Sequence, residues 1–147
     1  MDKNYIMKYL FVFLLVGLVS CGDASGDASE NVKPKLKEYS MDDVTSQYGL
    51  VLLKKDMKPV TGIVRDWYED GQLKHKENYK DGKLNGLKRE WYKDGQLHCE
   101  FNYKDGKHHG LSRRWLQNGQ LCLEWNYKDG ERISQKCWDK NGKEIPC

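Results

Sequence analysis

Gly86-Leu87-Lys88-Arg89-Glu90-Trp91-Tyr92-Lys93-Asp94-Gly95-Gln96-Leu97-His98-Cys99-Glu100-Phe101-Asn102-Tyr103-Lys104-Asp105-Gly106-Lys107-His108-His109 decides the architecture, because it stands between two near-copies of itself, residues 62–85 and 110–133. Trp67, Trp91 and Trp115 are each 24 residues apart, as are Leu73, Leu97 and Leu121, and Tyr79, Tyr103 and Tyr127. So many positions in step mark a true internal repeat. Within each copy, Asp-Gly or Asn-Gly pairs separate short aromatic or apolar runs: Asp70-Gly71, Asp81-Gly82, Asp94-Gly95, Asp105-Gly106, Asn118-Gly119 and Asp129-Gly130. Asx-Gly is the strongest short signal for a two-residue hairpin turn. The runs are about seven residues, near the usual strand length and too short to favour a helix. The expectation is all-β: an antiparallel meander of hairpin repeats forming a single-layer twisted sheet.

The order Gly86…Trp91-Tyr92-Lys93-Asp94-Gly95-Gln96-Leu97…Asn102-Tyr103-Lys104-Asp105-Gly106-Lys107…Gly110 resembles the bacterial variant of the MORN repeat, as found in proteins similar to YwqK-type antitoxin components. The resemblance covers residues 62–142. Residues 41–61 read as a short helix or extended segment followed by a leading half-repeat, whose strand pairs with the first full hairpin. Ser40 and Asp43 mark the helix start, and Met41, Val44 and Tyr48 suggest a short apolar stripe. Residues 134–147 read as a degenerate final copy, in which Ser134 replaces the opening glycine and Trp138 arrives one residue early, as capping repeats often degenerate.

Upstream, Lys3 and Lys8 precede an apolar run of ten residues, Leu10 to Val19, too short to span a roughly 30 Å hydrocarbon core but suited to a signal peptide over residues 1–20. Leu18-Val19-Ser20-Cys21 resembles a bacterial lipobox, which implies that Cys21 opens the mature chain and is acylated. A multiply acylated cysteine meets the need for more than one chain in stable anchoring. Residues 21–40 then form a tether, with Gly-Asp-Ala-Ser repeated and no large apolar residue in 22–30, expected to be disordered. Removing Asp2, Lys3 and Lys8 with the signal takes the formal charge from +3 to about +2. So even a balance argues against nucleic acid as a partner.

Two-residue turns at Asp70-Gly71 and Asp81-Gly82 would pair Tyr68 with Leu73 and Tyr79 with Leu84. One face then gathers Val64, Tyr68, Leu73, Tyr79, Leu84, Tyr92, Leu97, Cys99, Phe101, Tyr103, Leu116, Leu121, Leu123, Trp125 and Tyr127. Burial of this apolar face requires curl of the sheet, the segment 32–48, or a second copy of the chain. The opposite face carries Arg65, Trp67, Arg89, Trp91, Arg113 and Trp115, with Lys74, His98, Glu100 and Glu124 among them. An Arg-X-Trp row suits either stacking of guanidinium on indole, which would stabilise a thin sheet, or a binding face.

The register places Cys99 and Cys122 on opposite faces, which argues against a bridge between them. Cys137 and Cys147 flank the last hairpin and are candidates for a disulfide. His98, Cys99, His108, His109 and Cys122 lack metal-site spacing and are split between faces and a turn, with His108 and His109 read as solvated turn residues, so no metal or cofactor is expected. No nucleophile elbow or phosphate loop occurs, and the turn chemistry accounts for the aspartates. The expectation is therefore a non-enzymatic protein, lipid-anchored at the outer membrane or surface of a bacterial cell. It would engage a protein partner as an adaptor or scaffold, or neutralise a toxin as an antitoxin or immunity protein.

Overall fold

In the computed structural model, residues 35–147 are described, and the segment expected to be a signal peptide, Cys21 and most of the expected tether lie outside them. The strands are β1 (Glu38–Ser40), β2 (Val44–Gln47), β3 (Leu50–Leu53), β4 (Gly62–Trp67), β5 (Leu73–Lys80), β6 (Lys83–Trp91), β7 (Leu97–Lys104), β8 (Lys107–His108), β9 (Gly110–Trp115), β10 (Leu121–Lys128), β11 (Glu131–Trp138) and β12 (Glu144–Ile145). One sheet runs β1-β4-β5-β6-β7-β9-β10-β11-β12, with β8 also on β7, and β2–β3 form a separate hairpin. The expected antiparallel meander of hairpin repeats is present. Its one exception is β1, which lies parallel to β4.

Each repeat uses the same Asx-Gly dipeptide to make two different turns. At Asp81-Gly82 both residues have positive φ (50° and 78°), and Lys80 faces Lys83: a two-residue turn, as expected. At Asp70-Gly71 only the glycine is left-handed (φ 85°). There the Gly71 N–H donates to Tyr68 O and the Tyr68 N–H to Gln72 O, both at 2.9 Å. That is a three-residue loop, and it corrects the expected pairing of Tyr68 with Leu73. The Asp70 carboxylate favours it by accepting from the Gln72 N–H at 3.1 Å, as Asp94 and Asn118 do for Gln96 and Gln120.

The extra loop residue is offset at once by a one-residue bulge. Trp67 faces Leu73 while Asp66 faces His75, so Lys74 is supernumerary. The next two repeats repeat the slip at His98 and Cys122. The strand bodies consequently keep the expected register, with Arg65 opposite Lys76 and Arg89 opposite Glu100. Near the loops, however, side chains change faces. Leu73, Leu97 and Leu121 move opposite Trp67, Trp91 and Trp115, onto the arginine face. Lys74 moves to the other face, where it meets Asp66 at 3.1 Å and the Tyr68 ring at 5.9 Å.

A second irregularity follows the two-residue turns. Tyr79 faces Leu84, but Glu77 faces Lys88, so β6 carries two extra residues around Gly86 (φ 100°). The amides of Asn78 and Asn102 close this bulge and its copy by donating to Leu87 O and Leu111 O. In the final copy the slip is one residue, between Tyr127–Arg132 and Asn126–Ser134. This explains the degenerate ending: with one residue fewer no left-handed position is needed, Ser134 suffices, and Trp138 comes early. Successive repeats are also clasped by tyrosine hydroxyls, Tyr68 to Trp91 O at 2.7 Å and Tyr92 to Trp115 O at 2.9 Å.

The buried cluster is Val44, Leu53, Val60 and Val64, with Tyr39, Met41, Val51 and Tyr79 against it. The Ser40 side chain accepts from the Asp42 N–H and the Asp43 carboxylate from the Ser40 N–H, a reciprocal cap. The cap starts only one 3-10 turn, Met41–Asp43, and the chain then enters β2. Tyr48, expected on the apolar stripe, instead sits at the tip of that hairpin, fully in water. Leu50–Leu53 pairs with β2 rather than with the first repeat, which it meets through the Val51 N–H to Gly82 O bond at 2.8 Å. Cover within the chain thus reaches the start of the apolar face, at Val64 and Tyr79.

Candidate interaction surface

The arginines expected to stack on tryptophan make ion pairs instead. Arg65 grips Glu38 with both terminal nitrogens, at 2.8 and 3.0 Å. Arg89 Nε meets Glu100 at 2.7 Å and Arg113 Nε meets Glu124 at 2.8 Å. A guanidinium satisfies its donors better on a carboxylate than on a ring face, which is why the expected stacking gives way. Arg89 and Glu100, and Arg113 and Glu124, stand directly across from each other, whereas Arg65 faces Ser40 and reaches Glu38 diagonally. Each pair, more than a third of its arginine side chain in water for Arg89 and Arg113, contributes about 0.2–1 kcal/mol.

Cross-strand pairing lines these groups into one row: Arg65, Lys76, Arg89, Glu100, Arg113, Glu124, Lys136. Lys76 occupies the position held by Glu100 and Glu124 in later repeats, and no carboxylate lies within 4.0 Å of it among the described residues. Three cations, Arg65, Lys76 and Arg89, therefore adjoin at the first repeat. Beside the charged row runs an alternation of Trp67, Leu73, Trp91, Leu97, Trp115 and Leu121. Trp67 is 45% exposed and Leu111 39%, so this face presents apolar surface to water.

The opposite face is less apolar than the sequence implies. Glu77 is 6% exposed, its Oε1 2.9 Å from Lys88 Nζ and its Oε2 2.5 Å from the Tyr79 hydroxyl. Lys88 also reaches Glu90 at 3.2 Å. Burial acts to lower the Lys88 pKa, but Glu77 and Glu90 outweigh it and raise it. Burial, with the hydrogen bond to Glu77, raises Tyr79 well above its ordinary value.

His108, expected in solvent, lies in an aromatic cluster. Its ring centroid is 4.4 Å from that of Tyr103 and 4.8 Å from that of Tyr127, with Phe101 at 5.6 Å. Burial and Lys88 hold its pKa below the usual histidine value. His109 pairs with Asp129 at 3.3 Å. The place of His108 was legible in the repeat: the two-residue turn at Asp105-Gly106 sets it across from Tyr103, as Leu84 faces Tyr79 one copy earlier, and so on the apolar face before any bulge intervenes.

The bulge also corrects the cysteines. Cys122 comes to the same face as Cys99, lining a groove of about 510 Å³ with Tyr92, His98, Arg114, Leu123 and Trp138. Cys99 faces Arg114 and Leu123 faces Arg114 from its other side, so the two thiols stand two strands apart. Two strand spacings, roughly 9–10 Å, exceed the reach of a disulfide, and both thiols are free. Cys137 and Cys147 are joined by a disulfide, with Cα atoms 5.3 Å apart, and flank the hairpin of β11 and β12.

Residues 60–81, 84–105 and 109–129 match the family described as MORN repeat variant, in three consecutive copies. No curated protein and no solved structure matches the chain.

Proposed function

We propose that this chain is a lipid-anchored, non-catalytic interaction module of a bacterial cell envelope, held at the membrane by acylated Cys21 and engaging a protein partner through the tryptophan–arginine face. The observation that carries the reading is a Trp–Leu row, open to water at Trp67, running beside Lys76, which has no carboxylate partner among the described residues while its neighbours Arg65 and Arg89 are ion-paired. MORN repeats in general serve protein and membrane interactions. Aromatic and arginine side chains are the residues most enriched in binding hot spots, and an apolar stripe rimmed by charge fits the anatomy of an interface. The three ion pairs occupy the guanidinium groups of Arg65, Arg89 and Arg113, which leaves Trp67 and Lys76 to meet a partner.

The test is capture from an envelope extract with the full-length protein, compared with the double variant Trp67→Ala/Lys76→Glu. A partner retained by the wild type and lost by the folded variant supports the reading. Equal retention by both refutes it. If the captured partner is a toxin whose activity the wild type suppresses, the module acts as an immunity protein; a structural envelope component makes it an adaptor. The anchor is tested separately by Cys21→Ser, which should move the protein out of the membrane fraction and abolish palmitate labelling.

A further inference from the structure

Asp66 shows what the repeated bulge does to side chains. Its Oδ2 is 3.1 Å from Lys74 Nζ and 3.6 Å from His75 Nδ1, so two consecutive residues converge on one carboxylate opposite them. A regular strand forbids this, because neighbouring side chains point to opposite faces. In the second repeat the same three positions are Glu90, His98 and Cys99, and their donor atoms all lie within 4.8 Å of one another. The third repeat has Arg114, Cys122 and Leu123 there, and loses the set.

We propose that Glu90, His98 and Cys99 bind a zinc-class divalent cation, which takes the place filled in the first repeat by the Lys74 ammonium. Carboxylate, imidazole and thiolate are the three protein ligand types of zinc, and soft sulfur disfavours magnesium and calcium. Zinc–ligand bonds of about 2.0–2.3 Å require the donors to close by roughly 1 Å from their present spread. One oxygen of Glu90, Oε1, is engaged by Lys88 at 3.2 Å, which leaves Oε2 for the metal. The His98 ring is held against Tyr92 with centroids 4.3 Å apart, and Cys99 is 2% exposed. His98 borders the open groove, so the fourth position faces solvent. Lys88 and Arg114, the latter directly across from Cys99, surround the two anionic ligands with positive charge. Binding is therefore weaker than at a four-cysteine site.

The experiment uses the full chain carrying Cys21→Ser, so that Cys99 and Cys122 are the free thiols, with its disulfide intact. Cobalt(II) is added as a spectroscopic probe and zinc is titrated calorimetrically. One ion per chain is expected, with a thiolate-to-cobalt charge-transfer band that zinc displaces. Cys99→Ser and His98→Ala should abolish the band, and Glu90→Gln should weaken binding by roughly tenfold or more, while Cys122→Ser should leave both unchanged. A band that survives Cys99→Ser, or disappears only with Cys122→Ser, overturns the assignment. So does the absence of any band in a protein whose circular dichroism is that of a folded sheet.

Discussion

Replacing Lys88 by methionine isolates the energetics of the buried charges. Glu77 is 6% exposed, whereas Lys88 keeps 23% of its side chain in water. Stranding one partner of a buried pair costs about 3–5 kcal/mol when the remaining charge has no other help. Here the Tyr79 hydroxyl still donates to Glu77, and water can reach the vacated side, so about 2–3 kcal/mol is expected. With a urea slope of about 1–3 kcal/mol/M, the midpoint should fall by about 0.7–3 M. The assay is urea unfolding followed by tryptophan fluorescence, disulfide intact. The triple variant Glu77→Leu/Tyr79→Phe/Lys88→Met removes the buried carboxylate with both of its partners, leaving only Glu90, which water reaches, and should lie within about 1 kcal/mol of the wild type. A loss below about 0.5 kcal/mol for Lys88→Met, or a triple variant no more stable than the single one, refutes the argument that the buried carboxylate makes the lysine necessary.

Gly62→Ala should undock β1, because the new Cβ would stand 2.3 Å from Lys37 O at a φ of +150°; a loss of about 2 kcal/mol or more is expected, with fast exchange of the Ile63 amide that Lys37 O now accepts. Gly71→Ala meets nothing within 4 Å and strains only φ (+85°), so about 1 kcal/mol is expected from the same unfolding assay. Stability should fall as pH drops below about 6.5: His98 and His108 have pKa values lowered in the fold, chiefly by burial, so the unfolded chain binds more protons there. His108→Phe should flatten that decline in thermal melts at pH 5 to 7. Reducing Cys137–Cys147 should cost about 2–3 kcal/mol at the cap, read as faster exchange at Glu144 and Ile145 while the Tyr79–Leu84 region is unchanged.

The repeat, its hairpin strands and their body register were legible in the sequence, because period and turn dipeptides are local signals, whereas β1 and β2, which lie before the first copy, carry neither. Two errors in reading the Asp70-Gly71 end cancelled. The loop holds one more residue than expected and the bulge absorbs one, so Arg89 still meets Glu100. What composition could not reveal is which Asx-Gly adopts which turn, since Asp81 is left-handed and Asp70 is not. The glutamine after Gly71, Gly95 and Gly119 is the available signal, as its N–H bonds the preceding Asx side chain. Missing the bulge sent Leu73, His98 and Cys122 to the wrong faces. The arginine–tryptophan stack fails for a different reason: the Arg-X-Trp spacing is a signal along one strand, whereas the carboxylates that take Arg89 and Arg113 stand across from them on the neighbouring strands.

The tyrosine clasps bear on how such a chain lengthens. Each hydroxyl reaches a carbonyl in the following unit, and that carbonyl belongs to the backbone, so any added copy supplies its own acceptor whatever its side chains. A tandem duplication of one 24-residue segment would therefore inherit a complete joint, and natural selection could tune the span of the sheet by unequal crossing-over. Leu116 stands where a third hydroxyl would be. With an aliphatic side chain at that position, the joint to the degenerate final copy is made without a hydroxyl clasp.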